Sequence, residues 1–465
     1  MQSQTQIDPV VSFRNSQGEA VRGTIVNLQR ASLVMEIYNP YSIVQISEVL
    51  NELTVRLGTK IAYSGKAVVI SMVNTGLTAV VSVTLIEQWR ELSDVPLVPD
   101  SVAAEAKLFV KDWNDRFRIR RDYQILINEA RAFLSDVSRW VEQVDMSDSL
   151  PKEDGRLRAD FFQELATPLM EKTKRYFADL EGEASLIEDE LASAHRSFAQ
   201  AALHPLILRA PFVFRTFTKP LGYAGDYQMV NQMIEDPRQG PSTYFQIVNT
   251  AFLQAAAAQA HRNRIDILVG FLTRLAAEAR KAGRPYRVMN IGCGPAIEIQ
   301  RFISNCPDAS FLQFELVDFS AETLGWTRDK LATLAAQAGQ RVEVSCVHDS
   351  VHNLLKRRTS ADPEPARDFD AVYCAGLFDY LSDKVCSRLT EHFASRTRPG
   401  GTVMVTNVHS CNPERQFVMG HLLEWYLIYR DEAGLDAVLP PHCATRRVYV
   451  DSTGVNVFGE VEVAP

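Results

Sequence analysis

The sequence predicts a multidomain chain: a small antiparallel β-barrel, a helical middle region and a C-terminal parallel α/β domain closed by a β-hairpin. Three observations carry this reading. From about Val10 to Leu92, Val, Ile and Thr recur with period two between Gly-bearing turns, the pattern of short antiparallel strands. From about Val102 the apolar residues shift to three- and four-residue spacing, the pattern of a helix. Beyond about Ala210, apolar strand-like runs alternate with amphipathic helices, which predicts a parallel sheet. The expected boundaries are 1–95, 96–209 and 210–465, and 465 residues are too many for one ordinary domain.

Each element has its own justification. The barrel strands include AVRGTIVNLQR, SLVMEIY, TKIAYSGKAVVISMV and TAVVSVTLIEQW, broken by turns at Ser16–Gly18 and Asn74–Gly76. A proline-containing link, Ser93 to Ser101, ends that zone. In the middle region Phe109, Trp113, Phe117, Tyr123, Ile127, Ala130, Leu134, Val137 and Val144 fall on one face of a helix spanning about 102–144. That stripe reads first as an internal packing face, with a helical pair between two copies of the chain as the alternative. More helix is expected to about Leu203, kinked or divided at Pro168. The α/β strands read YRVMNIG, SFLQFELVDFS, VEVSCVHDS, FDAVYCAG and GTVMVTNV, and Arg447–Val463 reads as the closing hairpin.

Composition narrows the function classes. With 46% hydrophobic and 23% charged residues the chain fills a core, and a net charge of −8 argues against nucleic-acid binding by bulk charge. No run approaches the roughly 20 apolar residues of a membrane span. MQSQTQIDPV has neither the basic nor the apolar part of a secretory signal. The seven cysteines include no CxxC pair, so they read as reduced thiols in a cytoplasmic protein with no metal site.

The chemistry-bearing motif is VMNIGCGPAI, a buried strand entering a Gly-x-Gly turn at Gly292 and Gly294. Ile297 replaces the third glycine of a pyrophosphate-binding GxGxxG. Asp318, 26 residues after Gly292, ends the next strand, where a carboxylate accepts hydrogen bonds from ribose hydroxyls. Asp349 and Ser350 follow the third strand, where an adenine amino group would be met. The fourth strand ends at Cys374–Leu377, and Pro399-Gly400-Gly401 turns into the fifth.

In this order the motifs resemble the class I S-adenosyl-L-methionine-dependent methyltransferases, with a Rossmann-like fold, over about Arg284 to Pro465. The resemblance implies that Asn290, Gly292, Cys293 and Gly294 wrap the methionine part of the cofactor. It implies that Asp318 holds the ribose, that Phe319 lies beside the adenine with Asp349 and Ser350 at its edge, and that Cys374 lines the floor.

Two further segments point to the acceptor. Phe217–Met233 packs Gly222, Tyr223, Gly225, Asp226 and Tyr227 into one loop, and Leu423–Glu432 carries Trp425, Tyr426, Tyr429 and Arg430. Together they resemble bacterial enzymes that make 3-hydroxy fatty acid methyl esters, diffusible cell-density (quorum-sensing) signals. The resemblance implies carboxyl O-methylation of a fatty acid, free or delivered by acyl carrier protein. A carboxylate is ionised at neutral pH and needs no general base, only in-line placement and a donor for its second oxygen. Tyr223, His409, Tyr426 and Arg430 are the catalytic candidates. Arg262, on a helix before the first sheet strand together with Arg264, is a further cofactor candidate, and His204–Phe214 is apolar enough to line an acyl channel.

The barrel resembles a PilZ domain, a module that often binds cyclic di-GMP. The binding motifs are degenerate here: Arg14 and Arg22 are too widely spaced, and the turn reads Asn27-x-Gln29-x-x-Ser32. These departures argue against nucleotide binding and for a barrel used in protein contacts. Arg116, Arg118, Arg120 and Arg121 form a basic cluster that reads as a solvated face, a phosphate patch or a carrier-protein dock. Other small-molecule or protein acceptors stay open, as does a cyclic di-GMP-responsive adaptor with an inactive methyltransferase domain. The intact Gly-x-Gly turn and Asp318 argue against the last.

Overall fold

The computed structural model describes residues 10–87 except short loop stretches (16–17, 19, 29–31, 38–43, 58–59 and 75–78), scattered positions within 103–114, and 118–464 except 148 and 358–366. The Ser93–Ser101 link, Phe109, Trp113, Arg116, Phe117 and Gln29 lie outside the described residues.

Strands β1 (Val10–Arg14), β2 (Ala20–Leu28), β3 (Ser32–Ile37), β4 (Val49–Leu57), β5 (Lys60–Asn74) and β6 (Ala79–Leu85) close into an antiparallel barrel of order β1-β2-β3-β6-β5-β4. Alternation does the work expected of it: Leu33, Met35 and Ile37 on β3 and Val81 and Val83 on β6 are buried, while the intervening residues are partly exposed. Gly23 is required by close packing, because a Cβ there would meet the Glu36 carbonyl oxygen at 2.6 Å.

The helical region departs from the expected outline in two places. Helix α1 runs Arg121–Asp145 and buries Tyr123, Ile127, Ala130, Leu134, Val137 and Val141, while residues 118–120 are not helical. Helix α2 (Ala159–Ala184) is not divided at Pro168; the division comes at 185–188 instead, before α3 (Asp189–Ile207). Nor is residue 210 a packing boundary. One core joins α1, α2 and α3 to α4 (Pro211–Thr218), α6 (Thr243–Leu253) and residues Phe417–Leu423. Between α4 and α6 lies the short α5 (Tyr227–Gln232).

Helix α7 (Ala256–Ala282) then leads into the α/β domain, burying Arg264, Leu268, Phe271, Leu272 and Leu275 and ending at Gly283 with φ +64°. The sheet strands are β7 (Tyr286–Ile291), β8 (Leu312–Asp318), β9 (Glu343–His348), β10 (Phe369–Cys374), β11 (Thr397–Val408), β12 (Cys443–Val450) and β13 (Asn456–Val463). Their order is β9-β8-β7-β10-β11-β13-β12. The first five are parallel, and β13 enters antiparallel between β11 and β12. This is a Rossmann-like doubly wound sheet with the expected terminal hairpin. The chain direction across the sheet reverses between β7 and β10, the position outside whose carboxyl ends such folds bind ligands. Among the described residues no helix is long and apolar enough to cross a membrane, and no group of three acidic, His or Cys residues is placed to hold a metal.

Candidate active site

Two cavities meet outside the carboxyl ends of β7, β8 and β10, sharing Gly225, Gly292, Gly294, Gly376 and Tyr380 as lining. Including their open mouths they enclose about 980 and 700 Å³.

The smaller lobe is built on the Gly-x-Gly turn. The Gly292 and Cys293 N–H groups both donate to the Val317 carbonyl, at 2.8 and 3.2 Å, which pins the turn to the neighbouring strand. Gly292 has φ +66°, and a Cβ would sit 3.3 Å from Leu377. Asp318 closes β8 with its carboxylate buried. One oxygen accepts from the Gly294 N–H at 3.1 Å and the other from the Ser320 N–H at 2.9 Å. Burial raises its pKa against those two hydrogen bonds. Each carboxylate oxygen retains acceptor capacity for a ligand. The rings of Tyr223 and Phe319 stand edge to face at 4.9 Å beside Asp318, Asp349 and Leu354. Tyr223 is carried by the loop between α4 and α5. That loop is fixed by Asp226, which caps α5 through the Gln228 and Met229 N–H groups and pairs with Arg215 at 2.8 Å. Apolar walls, aromatic rings and an acceptor carboxylate suit a nucleoside.

The larger lobe has a polar and an apolar end. At the polar end stands Arg264, 8% exposed. Its guanidinium lies against Gly376 (φ +94°), where a Cβ would sit 3.0 Å away, and Nη2 meets His261 Nδ1 at 2.6 Å. Among the described residues no carboxylate pairs with it within 4 Å; Glu298 and Asp379 act on it only through space. Burial and the two neighbouring arginines push His261 well below its ordinary pKa. The neutral ring accepts from Arg264 at Nδ1 and therefore carries its proton on Nε2. That Nε2 and the Asn456 Oδ1 are buried without partners among the described residues. A desolvated guanidinium beside an unused donor is a carboxylate-binding set.

At the apolar end lie Met229, Met233, Met419, Leu427 and Trp425. An adjoining pocket of about 300 Å³, its open mouth included, is lined by Phe212, Phe252, Val418 and Leu423. Tyr380 stands where all the lobes join. Its hydroxyl accepts from Trp425 Nε1 at 3.0 Å, and its own proton has no acceptor among the described residues. It lies 2.8 Å from where a Cβ on Gly225 would project. Burial raises its pKa, so it remains a donor at neutral pH.

Eight of the expected residues line these cavities: Tyr223, Asn290, Gly292, Cys293, Gly294, Asp318, Phe319 and Asp349. Asn290 also donates to Glu298 and Tyr373, both at 3.0 Å. Six others do not line either cavity. Arg430, in the segment after β11, is buried and donates to the carbonyls of Phe378 and Leu381, to Asn407 and to Asp383; its donors hold the loop after β10 in place. Tyr426 accepts from Arg196 at 2.9 Å. His409 pairs with Glu432 at 2.9 Å and accepts from the Cys411 N–H. Arg262 donates to the carbonyls of Met233 and Leu253. Ser350 begins a helix, accepting from the Asn353 N–H, and Cys374 is packed in the core beneath the sheet. Of the His204–Phe214 stretch only Phe212 reaches the apolar side cavity. His261, Arg264, Tyr380 and Trp425 were not among the expected site residues. The three-residue step from His261 to Arg264, on one face of the helix leading to the Gly-x-Gly strand, was the available signal.

No protein-family model and no curated protein matches the chain. Solved structures do. One is a possible exported protein of Bordetella parapertussis, 18% identical, covering 54% of this chain and 86% of its own, at a TM-score of 0.41. A second is magnesium protoporphyrin IX methyltransferase from Synechocystis with bound S-adenosylmethionine: 14% identical, covering 45% and 82%, at 0.30. A third is the N-methyltransferase NodS from Bradyrhizobium japonicum with S-adenosyl-L-homocysteine: 13% identical, covering 51% and 98%, at 0.32.

Proposed function

We propose that the chain is an S-adenosylmethionine-dependent O-methyltransferase that esterifies the carboxylate of a 3-hydroxy fatty acid, yielding a diffusible signal. The observation that carries this reading is the continuity of three chemically distinct lobes around Tyr380: a nucleoside-shaped one, a cationic one and an apolar one. In this reading Asp318 accepts both ribose hydroxyls, and the touching rings of Tyr223 and Phe319 line the base's pocket. Arg264 and His261 hold the methionine carboxylate beside Gly376, where only a residue without a Cβ leaves room. The apolar lobe past Met233, Met419 and Trp425 takes the acyl tail.

When bound, S-adenosylmethionine supplies an electrophilic methyl group on a sulfonium. The chain's contribution is placement, worth several kcal/mol when reacting atoms are held near attack distance. Transfer of that methyl group to a carboxylate oxygen would exchange the C–S bond for a C–O bond, would leave the sulfur a neutral thioether, and would move no proton. Tyr380, oriented by Trp425, donates to the carboxylate oxygen that does not attack.

The test is to incubate the full chain with methyl-labelled cofactor and a panel of 3-hydroxy acids, plain fatty acids and the corresponding 3-hydroxy amides. Labelled ester from the 3-hydroxy acids alone is expected. Cofactor binding without ester would remove the acceptor assignment, and redirect the search to carrier-bound acyl groups, phenols and proteins.

A further inference from the structure

The barrel is bonded to both walls of the proposed nucleoside and acceptor lobes through one short segment, residues 44–49, every one of them buried. The Val49 N–H donates to the Gly222 carbonyl at 2.7 Å, immediately before Tyr223. The Ser47 hydroxyl donates to the Tyr426 carbonyl at 2.9 Å and accepts from the Tyr426 N–H, bracketing the chain next to Trp425. A second tie runs through Arg196, which donates to Thr84 on β6 at 2.8 Å and pairs with Glu424 at 3.4 Å.

Three of the few non-glycine residues with positive φ meet here: Ser47 (62°), Lys219 (46°) and Glu424 (48°). Such conformations persist only where the surroundings over-determine them, and they concentrate at functional sites. The segment is itself rigidly held, with the Ser47 N–H on the Val69 carbonyl and the Val69 N–H on the Glu48 carbonyl, both at 2.9 Å.

Gln45 reaches furthest. It is 8% exposed and lines the nucleoside lobe together with Tyr223 and Asp318. Its backbone N–H is taken by the Glu48 carboxylate at 2.6 Å, but its carboxamide has no hydrogen-bond partner among the described residues. A carboxamide with no protein partner at the wall of a nucleoside pocket keeps its donor and acceptor available to a ligand. A carboxamide also matches the N6/N7 edge of adenine, donating to one position and accepting from the other.

We propose that the barrel completes the active site: Gln45 is a contact for the adenine of the bound nucleoside, and Ser47 is a positioning residue for Trp425 and, through it, Tyr380. This rests on the nucleoside reading of the cavity. It gives the barrel a role independent of any nucleotide of its own and makes its degenerate PilZ-like motifs immaterial to that role.

The test uses the full-length chain and titration calorimetry with S-adenosylhomocysteine and its inosine-base analogue. Gln45→Ala is expected to bind S-adenosylhomocysteine roughly tenfold more weakly and to lose most of the preference for adenine over hypoxanthine. An unchanged melting temperature would accompany that loss, which general destabilisation would not produce. Ser47→Ala is expected to lower kcat about tenfold, with S-adenosylhomocysteine affinity nearly unchanged. If the unaltered chain binds neither compound, the nucleoside reading itself fails. If it binds and Gln45→Ala keeps both affinity and base preference, the contact assignment alone is overturned. Unchanged kcat in Ser47→Ala overturns the positioning role.

Discussion

Replacing Asp318 with Asn keeps the size and one acceptor oxygen but removes the charge at the tip of β8. In the structure the carboxylate already accepts from Gly294 and Ser320 at 3.1 and 2.9 Å, so it has one remaining acceptor position per oxygen for the ribose. Hydrogen bonds to a charged acceptor contribute about 1.5–3 kcal/mol each. The substitution forfeits the charge assistance of both ribose contacts and turns one acceptor into a donor. A net loss of about 3 kcal/mol is expected, equivalent to roughly 150-fold in Kd. Titration calorimetry with S-adenosylhomocysteine measures this directly. Because the same carboxylate pins the Gly-x-Gly turn, thermal unfolding must be recorded alongside, and a fall of a few degrees is expected from the weakened backbone contacts. Affinity within threefold of the unaltered chain would refute the ribose assignment, whatever the melting temperature does.

Three further predictions follow from the same geometry. Arg264→Gln should weaken S-adenosylhomocysteine about tenfold or more but leave 5′-methylthioadenosine, which lacks the amino-acid part, unaffected; equal losses for both ligands would place Arg264 elsewhere. Met233→Phe should narrow the apolar lobe, raising KM about tenfold for long 3-hydroxy acids and little for short ones, and a change independent of chain length would contradict the tail assignment. Burial, with Arg196 and His195 nearby, pushes His421 from 6.5 down to about 3. As pH falls below 6.5 the unfolded chain therefore binds a proton that the folded chain refuses. Stability should drop by about 1.4 kcal/mol per pH unit from that site until about pH 3, and stay flat above 6.5. Melting curves across pH for His421→Leu should show a shallower acid limb, and parallel limbs would contradict the assignment.

How much of this was legible beforehand depends on how local each feature is. The Gly-x-Gly turn, Asp318 and the closing hairpin are written in contiguous residues, because backbone constraints at Gly292 and the end of β8 act within a few positions. The barrel strands were readable from the period-two recurrence of Val, Ile and Thr, and the parallel-sheet strands from short apolar runs between helices. Arg264 and Arg262 show where this stops. They lie two residues apart on α7, nearly opposite in direction, and only the packing of that helix decides which one enters the cavity. Arg430 looked available in a loop, but the fold places four acceptors around it. Pro168 reads as a kink or a division, and α2 continues across it without division, with Ala166 and Met170 on either side buried in the shared core. Gln45 carried no signal at all, since its meaning depends on a barrel docking against a loop more than 170 residues away.

The central claim is that a fatty-acid carboxylate oxygen attacks a sulfonium methyl group held in this cavity. The most direct measurement supplies a 3-hydroxy fatty acid with both carboxylate oxygens isotopically heavy, together with methyl-deuterated S-adenosylmethionine, and weighs the product. The account predicts one ester bearing the labelled methyl and both heavy oxygens, with no exchange against water. A product that has lost one heavy oxygen would mean acyl activation rather than carboxylate attack, and a labelled methyl on any other atom would contradict the acceptor assignment.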